Sequence, residues 1–136
     1  MAAAEPMAST QREDGARDSA PQPLQLSILI RTLNEADRIA KTIRSALPLG
    51  AEIVVIDACS KDDTVRIAQD LGAKVFTNPW PGFGPQRHFG EEKCTNDLVF
   101  SLDADEILTP ELVEEIRKVL TRPNPPRLMI VRLGRL

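Results

Sequence analysis

The chain has 136 residues, a formal net charge of −3 and a hydrophobic content of 42%. This content is sufficient for one hydrophobic core and one domain. The chain lacks the basic surface that nucleic-acid binding requires, so we expect no nucleic-acid partner. Its two cysteines, Cys59 and Cys94, lie far apart and accompany a single histidine, which excludes a zinc ligand set and a disulfide framework.

The N-terminal region, residues 1–25, is rich in alanine, proline, serine and glutamine without hydrophobic periodicity, which predicts a disordered tail. It lacks the charged start and apolar core of a secretory signal. Apolar runs elsewhere are far shorter than the roughly 20 residues that a transmembrane helix needs. We therefore expect no transmembrane segment, and the cysteine usage favours a reduced, cytoplasmic setting.

Strands and helices alternate through the first half of the chain. Residues 26–30, 52–56 and 74–77 are apolar runs typical of buried strands. Apolar spacing over residues 36–47 predicts a helix that Asn34 caps and Pro48 ends, and a second helix is predicted over residues 62–71, with Gly72 as its stop. This order predicts right-handed crossovers and a parallel sheet.

Residues 78–85 form a segment rich in proline and glycine, which predicts an irregular loop. We expect its aromatic residues, Trp80 and Phe83, to anchor the loop to the core; the alternative is that they line a pocket for a base or sugar. Residues 86–94 predict a helix with Arg87 near its start. Arg87 either faces a ligand site or pairs with Glu91 on the helix surface.

The run at residues 98–102 predicts a strand buried on both faces, and it is followed by Asp103, Asp105 and Glu106. Side chains two positions apart on an extended segment point the same way, so both aspartates can face one cation. Mg²⁺ and Mn²⁺ take oxygen ligands and commonly share them with phosphates. The Asp-x-Asp motif therefore indicates a metal that holds a diphosphate, with a solvated turn as the alternative.

After this motif, Thr109 and Pro110 predict the start of a helix whose apolar face extends to Leu120. Residues 122–126 predict a stiff turn and residues 127–132 a last strand.

Polar residues gather at the predicted strand ends, where a parallel sheet brings them to one edge. They are Thr32, Asn34, Glu35, Asp57, Arg87, Asp103 and Asp105. The glycine fingerprint of dinucleotide binding is absent after the first strand, which argues against a NAD-type site. Asp57 has the alternative of capping the turn before a helix, and we assign Lys61, Asp62 and Asp63 to the surface.

Four segments, residues 27–35, 53–64, 84–90 and 101–106, resemble in their order the motifs of family 2 glycosyltransferases. The resemblance covers residues 26 to about 120, and within the family the segments around residues 79–84 and 101–112 look most like the bacterial lipopolysaccharide core β-glucosyltransferase branch. The sequence departs from the family in Ala58-Cys59-Ser60, where a glycine usually follows the second-strand aspartate.

The resemblance implies an α/β protein: a Rossmann-like GT-A half with a mainly parallel central sheet flanked by helices. It implies inverting transfer from a nucleotide-diphosphate sugar, UDP-glucose by this resemblance, to a cell-envelope glycolipid or polysaccharide. The implied cofactor is Mn²⁺ or Mg²⁺. It also implies peripheral contact with the inner face of the cell membrane.

Residue roles follow from the same resemblance. Thr32, Asn34 and Glu35 would border the nucleotide, and Asp57 would accept hydrogen bonds from a uracil-like base or its ribose. Arg87 would lie near the base or the diphosphate. Asp103, Ala104 and Asp105 would border the donor. Asp103 would contact the ribose or serve as a metal ligand, and Asp105 would be the principal metal ligand.

The resemblance divides the chain into a donor-binding domain over residues 26–122 and the start of a truncated acceptor-binding segment over residues 123–136. In the family the general base is an acid of the second half. The acids after Asp105 are not well placed for that role: they are Glu106, Glu111, Glu114 and Glu115. We expect a chain that binds donor but transfers sugar poorly by itself.

Two other classes remain open at this point. One is a nucleotide-binding module without catalysis. The other is a haloacid-dehalogenase-type phosphatase, in which the first aspartate of an Asp-x-Asp motif is the nucleophile.

Overall fold

The computed structural model describes residues 24–125 and the backbone of residues 134–135. Its strands are β1 (Ser27–Thr32), β2 (Glu52–Asp57), β3 (Lys74–Thr77), β4 (Val99–Asp103), β5 (Glu106–Ile107) and β6 (Gly134–Arg135). Its helices are α1 (Ile39–Ala46), α2 (Thr64–Asp70), α3 (Phe83–Lys93) and α4 (Pro110–Leu120), with a 3-10 turn at Leu47–Leu49. The predicted last strand at residues 127–132 and most of the predicted disordered tail lie outside the described residues.

The main sheet has four parallel strands in the order β3-β2-β1-β4. Helices flank this sheet, which confirms the predicted α/β architecture with a parallel central sheet. The strand that precedes the Asp-x-Asp motif, β4, is the outer strand of this order, and among its residues only Leu102 is fully buried. The prediction that this strand is buried on both faces is therefore wrong. The strands with near-continuous burial are β1 and β2.

Helices pack against both faces of the sheet, as is usual for parallel sheets. On one face Ile28, Ile30 and Val55 join Ile39 of α1 and Ile116 of α4 in the larger buried cluster. On the other face the buried set comprises Leu29, Val54 and Ile56, with Phe89 of α3 packed against it. Alternate residues of β1 thus serve opposite faces of the sheet.

Helix α3 lies against the sheet without a side chain between them at Gly90. A Cβ atom at this position would lie 2.6 Å from Cδ1 of Leu29 and 3.0 Å from Cγ1 of Ile56. Gly84, in the first turn of the same helix, has nothing within 4 Å of its corresponding position. Glycine at position 90 therefore allows the close approach of α3 to β1 and β2.

The helix starts differ from the predictions. Helix α1 begins at Ile39, after Arg38, and no side chain caps it. Asn34 adopts a positive φ of 53° and does not cap the helix, because its side chain bonds to another loop. Helix α3 begins at Phe83, which brings three residues of the predicted irregular loop into the helix. Pro85 is tolerated there because the first-turn N–H groups have no intrahelical partner.

The prediction of a disordered tail over residues 1–25 is wrong for residues 24 and 25. Leu24 is buried at 9% exposure, and its backbone N–H donates to the carbonyl of Gly50 over 3.1 Å. The ordered chain therefore includes residues 24 and 25.

A hydrogen-bonded carboxylate, Glu52, joins the amino ends of the strands. Its oxygens accept from the Ser27 hydroxyl at 2.6 Å, the Thr95 amide at 2.8 Å and Nζ of Lys74 at 2.7 Å. Partial burial alone would raise the pKa of Glu52, but the hydrogen bonds from Lys74, Ser27 and Thr95 lower it from 4.5 to about 2. Folding therefore favours the charged form of Glu52.

We expect Glu52→Gln to lower the free energy of unfolding at pH 7 by about 2 kcal/mol, since charge-assisted hydrogen bonds are lost. Because the pKa of Glu52 is lowered by folding, its contribution is complete above pH 4.5 and is lost as the pH falls towards 2. Denaturant unfolding at several pH values should show the variant and the parent converging over this interval. Glu114→Gln, on the exposed side of α4, is the control, and an equal loss in both variants would contradict the prediction.

Candidate functional site

A cleft of about 450 Å³ lies at the carboxyl edge of the sheet, beside the ends of β1 and β4. This is the edge at which open α/β sheets bind ligands. The residues that line it come from β1, from the loops after β1, β2 and β3, from α3 and from the Asp-x-Asp turn. They are Arg31, Thr32, Leu33, Glu35, Ala58, Trp80, Phe83, Gln86, Asp103, Ala104 and Asp105.

The Asp-x-Asp turn is fixed to the core through its backbone. The carbonyl of Ala104 accepts from the Thr42 hydroxyl of α1 at 2.7 Å, and the amide of Asp103 donates to Oε1 of Glu106 at 2.8 Å. Ala104 is buried at 3% exposure, whereas the Asp103 side chain is 49% exposed. The turn thus holds its alanine inward and presents a carboxylate to the cleft.

Asp103 also pairs with Arg31, its partner in the register of β1 and β4. Nη2 of Arg31 lies 3.2 Å from Oδ1 of Asp103. This guanidinium and the two aspartates of the motif all line the cleft.

Asp57 is the most buried of the predicted site residues, at 1% exposure. Its Oδ1 accepts from the Thr32 hydroxyl at 2.8 Å and from the Ser60 hydroxyl at 2.6 Å, and its Oδ2 accepts from the Ser60 amide at 2.7 Å. These bonds fix the turn after β2, as the capping alternative proposed. They also orient Thr32, which lines the cleft.

Four hydrogen bonds join the loop after β1 to the loop after β2 and to Thr64, the first residue of α2. The Asn34 amide donates to Oγ of Ser60 at 2.7 Å, and the Glu35 amide donates to Oγ1 of Thr64 at 2.8 Å. The Ala36 amide donates to Oδ2 of Asp62 at 3.1 Å, and the Lys61 amide donates to Oδ1 of Asn34 at 2.8 Å. We call this set the loop bridge. It holds the cleft residue Glu35 in place through its backbone.

Asp62, which the sequence assigned to the surface, belongs to the loop bridge. The hydroxyl and amide of Thr64 donate to Oδ1 of Asp62, and the amide of Ala36 donates to Oδ2. These bonds, the Thr64 hydroxyl first, hold the pKa of Asp62 below its usual value. Because Asp62 satisfies the Thr64 amide from outside the helix, α2 begins at Thr64 rather than at residue 62.

Arg87 lies outside the cleft, on the outer side of α3. Its Nε is 4.0 Å from Oε2 of Glu91, and the Arg87 side chain is 57% exposed. The alternative of a surface pair therefore describes Arg87 in this structure. The neighbouring Gln86 faces inward instead: it is 1% exposed, accepts from the Asn78 side-chain amide at 2.8 Å and lines the cleft.

Trp80 and Phe83 line the cleft and are not anchored in the core. Their exposures are 48% and 76%, and their rings meet edge to face with centroids 4.9 Å apart. The expectation that these aromatics anchor the loop to the core is wrong. The alternative, in which they line a pocket, describes what the structure shows.

Sequence reasoning missed two polar cleft residues, Arg31 and Gln86. Arg31 interrupts an apolar strand just before its end, which is a signal that the sequence carried. Gln86 offered no comparable signal, because its inward direction depends on where α3 begins.

A hard divalent cation suits the carboxylates of this cleft. The described part of the chain contains no cluster of three or more His, Cys, Asp or Glu side chains arranged to hold a metal by themselves. Mg²⁺, however, is commonly bound by one or two carboxylates together with substrate phosphates and water. Asp103 and Asp105, which both line the cleft, supply the two carboxylates of that donor set.

A parallel sheet with a carboxylate-bearing cleft at its carboxyl edge places the chain in the class of open α/β proteins, which bind their ligands at this edge. The family model described as Glycosyl transferase family 2 matches residues 27–126. The chain therefore belongs to glycosyltransferase family 2 and carries a glycosyltransferase domain.

Similar proteins carry glycosyltransferase names. An uncharacterized glycosyltransferase of Rickettsia felis is 44% identical over 105 residues, which cover 77% of this chain and 37% of that protein. The lipopolysaccharide core biosynthesis glycosyltransferase LpsC of Rhizobium meliloti is 37% identical over 102 residues, covering 71% of this chain and 37% of that protein. The chain thus spans less than half the length of these relatives.

Solved structures of the glucosyl-3-phosphoglycerate synthase of Mycobacterium tuberculosis share the fold. The complex with Mn²⁺, UDP and glucosyl-3-phosphoglycerate has a TM-score of 0.60 and 28% identity, covering 80% of this chain and 43% of that chain. The complex with Mn²⁺ and UDP-glucose has a TM-score of 0.60 and 26% identity, covering 82% and 43%.

None of the helices that the structure describes is both long and apolar enough to cross a membrane.

Proposed function

We propose that the chain binds a nucleotide-diphosphate sugar, UDP-glucose, together with Mn²⁺ or Mg²⁺, as the donor of an inverting glycosyltransferase. The observation that carries this proposal is the cleft at the carboxyl edge of the sheet, where Asp103 and Asp105 lie within a family 2 domain. The structural relatives that bind UDP-glucose with Mn²⁺ support the choice of nucleotide and metal.

In this proposal Asp103 and Asp105 hold the cation, and Ala104 fixes the turn between them. A divalent cation bound there would offset the negative charge that the departing diphosphate develops. Arg31 adds a positive charge beside Asp103. Arg31 therefore takes the place near the diphosphate that the sequence assigned to Arg87.

The nucleoside lies, in this proposal, against the ends of β1 and β2. Thr32 and Glu35 border it directly, and Asn34 acts through the loop bridge. Asp57 receives three hydrogen bonds, and its two oxygens can accept about four in total. In this proposal the remaining capacity on Oδ2 accepts a hydrogen bond from the uracil or the ribose.

The acceptor in this proposal is a cell-envelope glycolipid or polysaccharide, used at the inner face of the cell membrane. The name of the Rhizobium relative, a lipopolysaccharide core biosynthesis enzyme, supports this choice. Residues 26–122 form the donor-binding domain, and the acceptor-binding segment begins at residue 123. The backbone pairing of β6 with β5 supports this division, because it brings residues 134–135 beside the strand that follows Asp105.

Calorimetry of the chain with UDP tests the proposal. We expect binding in the presence of Mn²⁺ or Mg²⁺ and none when the metal is removed with a chelator, because the diphosphate and the carboxylates repel each other without it. Equal binding with and without metal would contradict the metal assignment. Metal-dependent release of phosphate from a phosphomonoester, without binding of UDP, would favour the phosphatase alternative.

A further inference from the structure

Arg31 occupies an unusual position at the end of a buried strand. The three residues before it, Ile28–Ile30, are fully buried, whereas its own side chain is 23% exposed and lines the cleft. Its guanidinium meets Asp103 through Nη2 at 3.2 Å. Its Nε is buried and has no hydrogen-bond partner among the described residues.

This geometry leaves most of the guanidinium unused. The group carries five N–H donors, and one of them makes the bond to Asp103. A buried donor without a partner costs free energy, so the observed arrangement does not satisfy the side chain fully. An acceptor with several oxygens can therefore draw Arg31 towards itself, and a diphosphate presents such oxygens in the spacing that guanidinium groups match.

The ion pair also acts on the carboxylates. A positive charge 3.2 Å from Asp103 reduces the negative potential that a divalent cation meets in the cleft. Arg31 and a metal ion thus compete for Asp103 as long as no diphosphate is present. Once a diphosphate enters, both cations can contact it and the competition ends.

We propose that Arg31 is a positioning residue that couples metal binding to diphosphate binding. It pairs with Asp103 when the cleft holds no donor and turns to the diphosphate when donor and metal are bound. Metal alone then binds weakly, and metal with diphosphate binds well. This inference rests on the proposed function, because it concerns the diphosphate of the same donor.

Calorimetric titration of the full chain and of Arg31→Gln with Mn²⁺ alone, with UDP plus Mn²⁺ and with UMP plus Mn²⁺ tests the inference. The variant should bind Mn²⁺ alone about threefold more tightly, since a like charge is removed. It should bind UDP with Mn²⁺ about tenfold more weakly, the factor that one charge-assisted hydrogen bond contributes. Binding of UMP should change by less than binding of UDP.

Two further variants separate these effects from a general loss of charge or structure. Arg66→Gln removes an exposed guanidinium of α2 that pairs with Asp63 and Asp70, and it should leave all three titrations unchanged. Arg31→Lys should restore part of the UDP affinity, because it restores the charge without the planar fork.

Opposite changes in Mn²⁺ and UDP affinity support the inference, because misfolding would weaken both. Parallel losses in the two titrations, or no change in either, would overturn it. Failure of the parent chain to bind UDP with Mn²⁺ would refute the proposed function itself, and Arg31 would then have no diphosphate to position. Binding of UDP by the parent with equal binding by Arg31→Gln would refute the role of Arg31 alone.

Discussion

Replacing Asp105 with asparagine is expected to weaken the binding of UDP in the presence of Mn²⁺ about 100-fold, at the upper end of effects seen when a metal site is disturbed. An amide has about the same shape as the carboxylate but no charge, so it is a much weaker ligand for a hard divalent cation. Calorimetric titration of the variant and of the parent with UDP in the presence of Mn²⁺ measures this loss of affinity.

Asp97→Asn is the matched control for Asp105→Asn. Asp97 is exposed and precedes β4, whereas Asp105 follows that strand at its carboxyl end. The control makes the same chemical change at the opposite end of the strand and should leave UDP affinity unaltered. Equal affinity of Asp105→Asn and the parent would remove Asp105 from the proposed metal ligands.

The second large effect is expected at Gly90, where Gly90→Val should lower the free energy of unfolding by about 3 kcal/mol through overpacking. The first added carbon would already lie 2.6 Å from Leu29 Cδ1, and Leu29 is fully buried between α3 and the sheet. Either α3 or the side chains of β1 and β2 must move. Denaturant unfolding measures the loss.

Glu92→Val provides the comparison, because it places a valine at an exposed position of the same helix. It should change the free energy of unfolding by less than about 1 kcal/mol, the range for exposed sites. A comparable loss in both variants would show that helix propensity, and not contact with β1 and β2, governs position 90. Since α3 also carries Phe83 and Gln86 into the cleft, Gly90→Val should weaken UDP binding as well.

The sequence was sufficient to predict the strands because β1, β2 and β3 are apolar runs between polar or glycine-containing segments. For β3 even the bounds, residues 74–77, agree with the structure. The burial of β4 could not be predicted in the same way. Its apolar residues resemble those of an inner strand, but the strand order places it at the outside, and that order is not written in the local sequence.

The candidate site shows a similar division. The convergence of Thr32, Asp103 and Asp105 follows from strand ends and parallel pairing, which the sequence pattern predicts. The sequence pattern does not predict that Gln86, and not Arg87, lines the cleft, because successive residues on a helix differ by about 100° in direction. To predict which residue faces the cleft, one must know that α3 begins at Phe83. Gly82, which precedes this start, has a φ of 114°, a conformation that favours glycine.

The backbone conformation of the loops could not be predicted from the sequence either. Asn34 was expected to cap a helix, as asparagine often does. Its positive φ turns its amide and side chain towards Ser60 and Lys61 instead. These partners are more than 25 positions away in the chain and come within reach only after β1 and β2 have paired.

The loop bridge has a consequence for how this edge of the molecule fluctuates. Each of its four bonds joins residues 26 to 29 positions apart, and all four connect the same two short segments of the chain. We therefore expect the four bonds to break together. The amides of Asn34, Glu35, Ala36 and Lys61 should consequently exchange with solvent as one cooperative unit. The part of the cleft that Glu35 and Ala58 line is then expected to fold and unfold in a single step.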